Sequence, residues 1–228
     1  MDEQKKGNEI SRMPMIGDPA PAFRAMTTKG KLNFPEDYKG SWTVFFSHPA
    51  DFTPVCTTEF ITFSRMEKEF SELNTRLLGL SIDSLHSHLA WVKSVESIQW
   101  KDNRDVVVPF PIVADIKMDV AKKYGMLQTV ASSQTVRAVF TIDPESVIRA
   151  ILYYPMSTGR NIPEIIRMIR ALQLHDKEGC ATPANWNPGD DVLLGAPLSI
   201  DEANARLNSS DQSLEPLAWY LTVKKVNK

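Results

Sequence analysis

The chain has 228 residues, 43% apolar and 24% charged, which suits one globular domain of ordinary core size plus an appendage. A net charge of −2 and a pI near 6.1 argue against a nucleic-acid surface, where a clustered basic excess is expected, and point to a small ligand. Two cysteines are too few for a secreted disulfide scaffold, and no run approaches the roughly 20 apolar residues of a bilayer span, so a cytoplasmic protein without membrane or nucleic-acid partners is expected.

Residues 1 to about 13, charged rather than apolar, read as a mobile lead. From Ala22 to Phe34 two short runs flank Thr28-Lys29-Gly30-Lys31, a hairpin in which Gly30 supplies the permissive backbone. Trp42 to Phe46 is the first strong strand. It leads through Pro49 and Pro54 into helical spacing at Phe60, Phe63, Met66/Glu67, Phe70 and Leu73, which predicts a helix with Cys56 at its mouth. The unpaired N–H groups and positive dipole end of a helix start stabilise a thiolate, the reactive form of a cysteine. Thr53, three residues before Cys56, is placed for its hydroxyl to meet the sulfur, and Pro54 enters the helix without losing a hydrogen bond.

A second buried strand, Leu77 to Ile82, ends at Asp83-Ser84, both good caps for a helix from Leu85 to about Val95. That strand–helix–strand order implies two parallel neighbours. Pro109 to Val113 is a short strand, Asp119 to Tyr124 a small helix stopped at Gly125. Val136 to Ile142 and Val147 to Tyr153 form a hairpin across Asp143-Pro144-Glu145-Ser146. Asn161 caps and Pro163 opens the final core helix, lined by Ile162, Ile165, Ile166, Ile169 and Leu172. The order is that of the thioredoxin fold, with the cysteine after the first of these strands. Beyond Leu174 the composition shifts to Pro183, Trp186, Pro188, Gly189, Gly195 and Pro197, with little periodicity until Ile200 to Leu207, and reads as an arm.

The string Pro49-x-x-x-Thr53-x-x-Cys56 closely resembles the active-site motif of the peroxiredoxins. His48 before it and Thr57-Thr58-Glu59-Phe60 after it resemble the one-cysteine branch, typified by peroxiredoxin 6 and archaeal members. Arg137, opening Arg137-Ala138-Val139-Phe140, resembles the family's active-site arginine, and Arg160, ending Tyr153-Tyr154-Pro155-Met156-Ser157-Thr158-Gly159-Arg160, a second arginine near the same pocket. The resemblance spans about residues 14 to 195. It implies an α/β, thioredoxin-like fold of the peroxiredoxin type, with a peroxidase domain over 14–175 and an extended C-terminal arm over 176–228.

The activity implied is thiol-dependent reduction of hydrogen peroxide and small organic hydroperoxides through a Cys56 sulfenic acid, without a cofactor, in the service of antioxidant defence. In that reading Thr53 hydrogen-bonds peroxide and sulfur, Pro49 shields the sulfur, Arg137 polarises the substrate, and His48 and Arg160 join Arg137 in binding it. An external thiol, a thioredoxin-like protein or a small thiol, restores Cys56. Homodimers are implied, which in this family assemble into rings of five, with the arm over the partner's site. A redox-dependent holdase or signalling scaffold is the alternative, since it needs the same Cys56. Phospholipase activity does not carry over, because the chain holds no Gly-x-Ser-x-Gly string. A metal site would recruit His48, Cys56 and His86-x-His88, but helical i and i+2 residues face different directions, and no metal is expected.

In two-cysteine relatives a resolving cysteine stands immediately before a Pro-Ala-x-Trp-x-Pro-Gly string. Here Thr182 precedes Pro183-Ala184-Asn185-Trp186-Asn187-Pro188-Gly189, as in the one-cysteine branch, and Cys180 lies two residues upstream. A one-cysteine mechanism is expected, with Cys180 as a displaced resolver only if the segment unwinds.

Overall fold

The computed structural model describes residues 13–101, 105–127 and 134–226; the lead over residues 1–12 lies outside them. The described chain forms two compact units, one ending at Ile162 and one starting at Pro163.

The first unit is built on a seven-stranded sheet. Its strands are β1 (Phe23–Thr27), β2 (Gly30–Phe34), β3 (Trp42–Ser47), β4 (Thr75–Ser81), β5 (Ile112–Ala114), β6 (Arg137–Ile142) and β7 (Ile148–Tyr154), in the order β2-β1-β5-β4-β3-β6-β7. All six residues of β3 are buried, as a near-continuous apolar run requires of a strand covered on both faces. It pairs parallel with β4 and antiparallel with β6, and β4 pairs parallel with β5, so the crossover read from the sequence is present. The two predicted hairpins, β1–β2 and β6–β7, are antiparallel. Gly30 has φ of +105°, the conformation the first turn demands.

Alternation along β3 splits two adjacent phenylalanines between the faces. Phe45 packs with Phe23, Phe34 and Tyr124, while Phe46 packs with Phe60, Phe63 and Phe110. Phe60 and Phe63 belong to α1 (Pro54–Arg65), followed by α2 (Glu67–Glu72), α3 (Leu85–Ser97) and α4 (Asp119–Lys123). Full burial of one such ring is worth about 2 kcal/mol, so this cluster clamps α1 to the sheet.

Two details differ from the sequence reading. The single helix expected through Leu73 breaks at Met66, whose φ and ψ of −94° and 6° end α1 and start α2. Phe63 and Phe70 are both fully buried across the break, so the apolar period continues through it and gives no sign of it. Ser84 alone caps α3, accepting the Ser87 N–H, while the Asp83 carboxylate turns to the Asp51 N–H and the Ser81 hydroxyl.

The second unit takes in all of α5 (Ile162–Glu178) but its first residue; in this helix Ile162, Ile165, Ile166 and Ile169 are buried and Leu172 is half-buried. The arm beyond it is more ordered than its composition shows. β8 (Val192–Leu193), α6 (Ile200–Leu207), β9 (Leu214–Ala218) and β10 (Leu221–Lys224) include a three-stranded sheet in the order β8-β10-β9. These strands of two to five residues, one holding Pro216, are too short for a period to emerge. Cys180, Trp186 and Val192 form this unit's own small core with Ala171 and Leu174. No helix among the described residues is long and apolar enough to cross a membrane.

Candidate active site

The polypeptide leaves β3 at Ser47, turns through His48 to Phe52, and enters α1 at Thr53. Phe52 has φ of 53°, a left-handed conformation unusual for a bulky residue. Thr53 is the extended residue before α1 and Pro54 opens the helix, so Cys56 falls in its first turn. The Thr53 hydroxyl does not cap the helix. It donates to the Ala50 carbonyl at 2.8 Å, which spends its one proton and leaves its lone pairs to accept.

Cys56 is fully buried, and Arg137 Nη1 donates to its Sγ at 3.2 Å. The same nitrogen donates to Glu59 Oε2 at 2.8 Å, and Nε and Nη2 hold the Met156 carbonyl at 3.0 and 2.8 Å. A guanidinium never loses its charge, so this contact brings a permanent cation to the sulfur. Arg137 reaches it from the start of β6, beside the β3 strand that launches the cysteine turn.

Glu59, one turn after Cys56, went unremarked in the sequence except as part of the motif. It is 3% exposed and binds both arginines. Oε1 accepts the Arg160 backbone N–H at 2.8 Å and Nε at 3.0 Å, and Oε2 accepts Arg160 Nη2 at 2.6 Å. Burial by itself would raise the Glu59 carboxyl, but Arg160 and Arg137 together outweigh it and hold it below its ordinary value. Arg160 Nη1 donates to the Ser47 and Ala138 carbonyls at 2.9 and 3.1 Å, and its guanidinium lies over Phe46 at 5.0 Å. Arg160 thus meets the cysteine only through Glu59.

Pro49 is buried in the same turn. His48 is fully buried between Trp91 and Phe60, with ring centroids 4.9 Å from each, and its Nε2 bonds Asp51 Oδ1 at 3.0 Å. Asp51 and His88 complete a cluster that sequence spacing did not reveal; His86, two residues away, is exposed, as the helical geometry requires. The His48 and His88 ring nitrogens that face Asp51 both lie within hydrogen-bond distance of its carboxylate. Cys180, in the second unit, is a buried free thiol whose Sγ donates to the Leu174 carbonyl at 3.9 Å.

Residues 16–151 match the AhpC/TSA family, and residues 171–210 match the C-terminal domain of 1-Cys peroxiredoxin. The chain is 55% identical over 215 residues to a peroxiredoxin of Methanosarcina mazei, covering 93% of this chain and 98% of that one. The chain belongs to the peroxiredoxin family. A peroxiredoxin of Aquifex aeolicus is 47% identical over 229 residues, covering 96% of this chain and all of its own. Among solved structures, a yeast mitochondrial 1-Cys peroxiredoxin, described with thiol resolution via glutathione and thioredoxin systems, superposes with a TM-score of 0.81 at 42% identity, covering 94% of this chain and 100% of that one. Peroxiredoxin 6 of Arenicola marina, solved as a cysteine-to-serine mutant, gives 0.81 at 35% identity over 94% of this chain and 99% of its own. The α/β thioredoxin-like fold of this peroxiredoxin, its one-cysteine branch and its thiol-dependent peroxidase activity are thereby shown, and the peroxidase is favoured over the holdase or scaffold.

Proposed function

We propose that Cys56 is the residue that reduces peroxide, and the contact of Arg137 Nη1 with its Sγ in the first turn of α1 carries the assignment. The Cys56 thiolate attacks the terminal oxygen of hydrogen peroxide or a small organic hydroperoxide. The S–O bond forms as the O–O bond breaks, and the leaving oxygen takes a proton to depart as water or an alcohol. Sulfur is oxidised to the sulfenic acid. Arg137 faces the charge that builds on the breaking bond. Thr53, its own proton held by Ala50, accepts the hydrogen bond of the incoming peroxide and orients it. Pro49 closes the turn above the sulfur, while Arg160, held by Glu59 and by the Ser47 and Ala138 carbonyls, and the buried His48 ring shape the pocket around Arg137. One external thiol then displaces water to form a mixed disulfide, and a second releases Cys56. A thioredoxin-like protein or a small thiol fits that role in a cytoplasmic setting, and no cofactor enters the cycle.

Arg137→Lys tests the assignment. The variant keeps the charge but loses the planar fork that spans the sulfur, Glu59 and the Met156 carbonyl, and the second-order rate of peroxide reduction is expected to fall about tenfold or more. Stopped-flow kinetics unchanged from wild type would remove Arg137 from the mechanism.

The one-cysteine cycle makes a second prediction. Protein treated with peroxide and run on a non-reducing gel is expected to stay at the mass of a single chain. A covalent dimer that forms in the wild type and vanishes in Cys180→Ser would make Cys180 the resolver. Homodimers, and rings of them, are supported by the arm's exposed apolar side chains: Leu198 is 95% and Ile200 81% exposed, close to the exposed Trp219 in the small sheet's turn.

A further inference from the structure

Within the second unit, α5 and the small sheet border a cavity of about 500 Å³. Arg170, Leu174 and Glu178 stand four residues apart and so share the face of α5 that lines it. Trp186 and Val192 complete an apolar wall with Leu174, and Lys224 and Lys225 add their side chains from the end of β10. The wall is fixed in place. Trp186 is 4% exposed, its Nε1 donates to the Asp190 carbonyl at 3.1 Å, and its own carbonyl accepts from Arg167 Nη1 at 3.0 Å.

The three cations of this lining are not equivalent. Lys224 Nζ lies 3.3 Å from Glu178 Oε2 and Lys225 Nζ lies 3.2 Å from Glu215 Oε2, so each lysine has a carboxylate of its own. Both pairs are partly exposed, and water screens them. Arg170 pairs with no carboxylate among the described residues, and its Nε, shielded from solvent, has no hydrogen-bond partner among them. Arg167, one turn earlier on the helix, shows what is missing: its Nε and Nη2 grip the two oxygens of Glu164 at 2.6 and 2.8 Å. A guanidinium does not lose its charge, and a buried donor without an acceptor is destabilising. The remaining carboxylate of the lining, Asp190, is exposed and turns Oδ2 to the Asn187 backbone N–H at 2.7 Å.

We infer that this cavity is a binding site for a small organic carboxylate, whose oxygens take the fork of Arg170 and whose apolar body lies against Leu174, Trp186 and Val192. A guanidinium fork matches the two oxygens of a carboxylate in spacing and plane. The volume is that of a small-molecule site, and the mixture of an apolar wall with one directed polar group is the usual make-up of such a site. One unmatched cation calls for one negative charge, and the carboxylates of Glu178 and Asp190 in the same lining disfavour a phosphate ester that carries two. The inference is independent of Cys56, because every residue it uses lies beyond Pro163 in the second unit.

Isothermal titration calorimetry of the full chain with phenylacetate tests this, set beside the uncharged phenylacetamide and the dianion phenyl phosphate. At about pH 8, where the phosphate carries close to two charges, the carboxylate is expected to bind more tightly than the phosphate. It is expected to bind about tenfold or more tighter than the amide, the effect of a charge-assisted pair shielded from water. Arg170→Gln is expected to weaken phenylacetate binding about tenfold, whereas Lys225→Gln, which removes an already paired and exposed cation, is expected to change it less than about threefold. Equal losses in the two variants would mean a general attraction for anions and overturn the inference. The wild type alone decides the matter if Arg170→Gln fails to fold. An amide that binds as well as the carboxylate, a phosphate ester that binds better, or no heat of binding from phenylacetate up to about 10 mM would each overturn it.

Discussion

Cys56→Ser is expected to fold as the wild type does and to lose thiol-dependent peroxide consumption by roughly a thousandfold or more, as when a covalent nucleophile is removed. Oxygen replaces sulfur with a small loss of volume at a fully buried position, and the hydroxyl still accepts from Arg137. Circular dichroism should therefore be unchanged. What disappears is the sulfur nucleophile, which a serine hydroxyl beside the same arginine does not replace. Residual turnover near the wild-type rate, with thiol present, would mean that another residue reduces peroxide.

Glu59→Gln is expected to lower stability by about 3 kcal/mol, or roughly 10 °C in Tm for a chain of this size. Both Glu59 oxygens accept, Oε1 from the Arg160 backbone N–H and Nε, Oε2 from Arg160 Nη2 and Arg137 Nη1. A glutamine has one oxygen, so its NH2 is forced against donors while two buried guanidinium groups lose the carboxylate they share. The pH dependence has a definite sign. Because the folded-state pKa of Glu59 is depressed, its contribution is complete above the unfolded-state value of about 4.3 and is lost as pH falls through the folded value. The gap in Tm between wild type and variant should be widest near neutrality and narrow on acidification below about pH 4. Equal melting temperatures at pH 7 would show that the arginines do not need Glu59. Peroxide reduction should fall as well, since Glu59 shares Arg137 Nη1 with the sulfur.

Much of the first unit was legible in linear order. Trp42 to Phe46 reads as a strong strand, and proline after a threonine, before apolar residues at helical spacing, opens a helix, so the order of residues alone puts Cys56 in a first turn. Arg137 and Arg160 were legible through resemblance, not through spacing. The small sheet at residues 192–224 was not, because two to five residues do not establish a period.

Glu59 shows where linear reading stops. In the sequence it is a polar residue between Thr58 and Phe60 on a helix, which ordinarily faces water. Its burial follows from β6 and the segment after β7 arriving on the same side of α1 with one arginine each, 78 and 101 residues away. Asp51 and His88 are likewise 37 residues apart, and only the packing of α3 over the cysteine turn makes them a pair. Apolar period, caps and turn residues act through neighbours along the chain, and for that reason the strands, the helices and the start of α1 are written in the order of residues. Charge pairing in a dry interior acts through distance in space. Which carboxylate neutralises which arginine, and which carboxylate two remote imidazoles share, therefore exists only once the sheet has brought remote segments together.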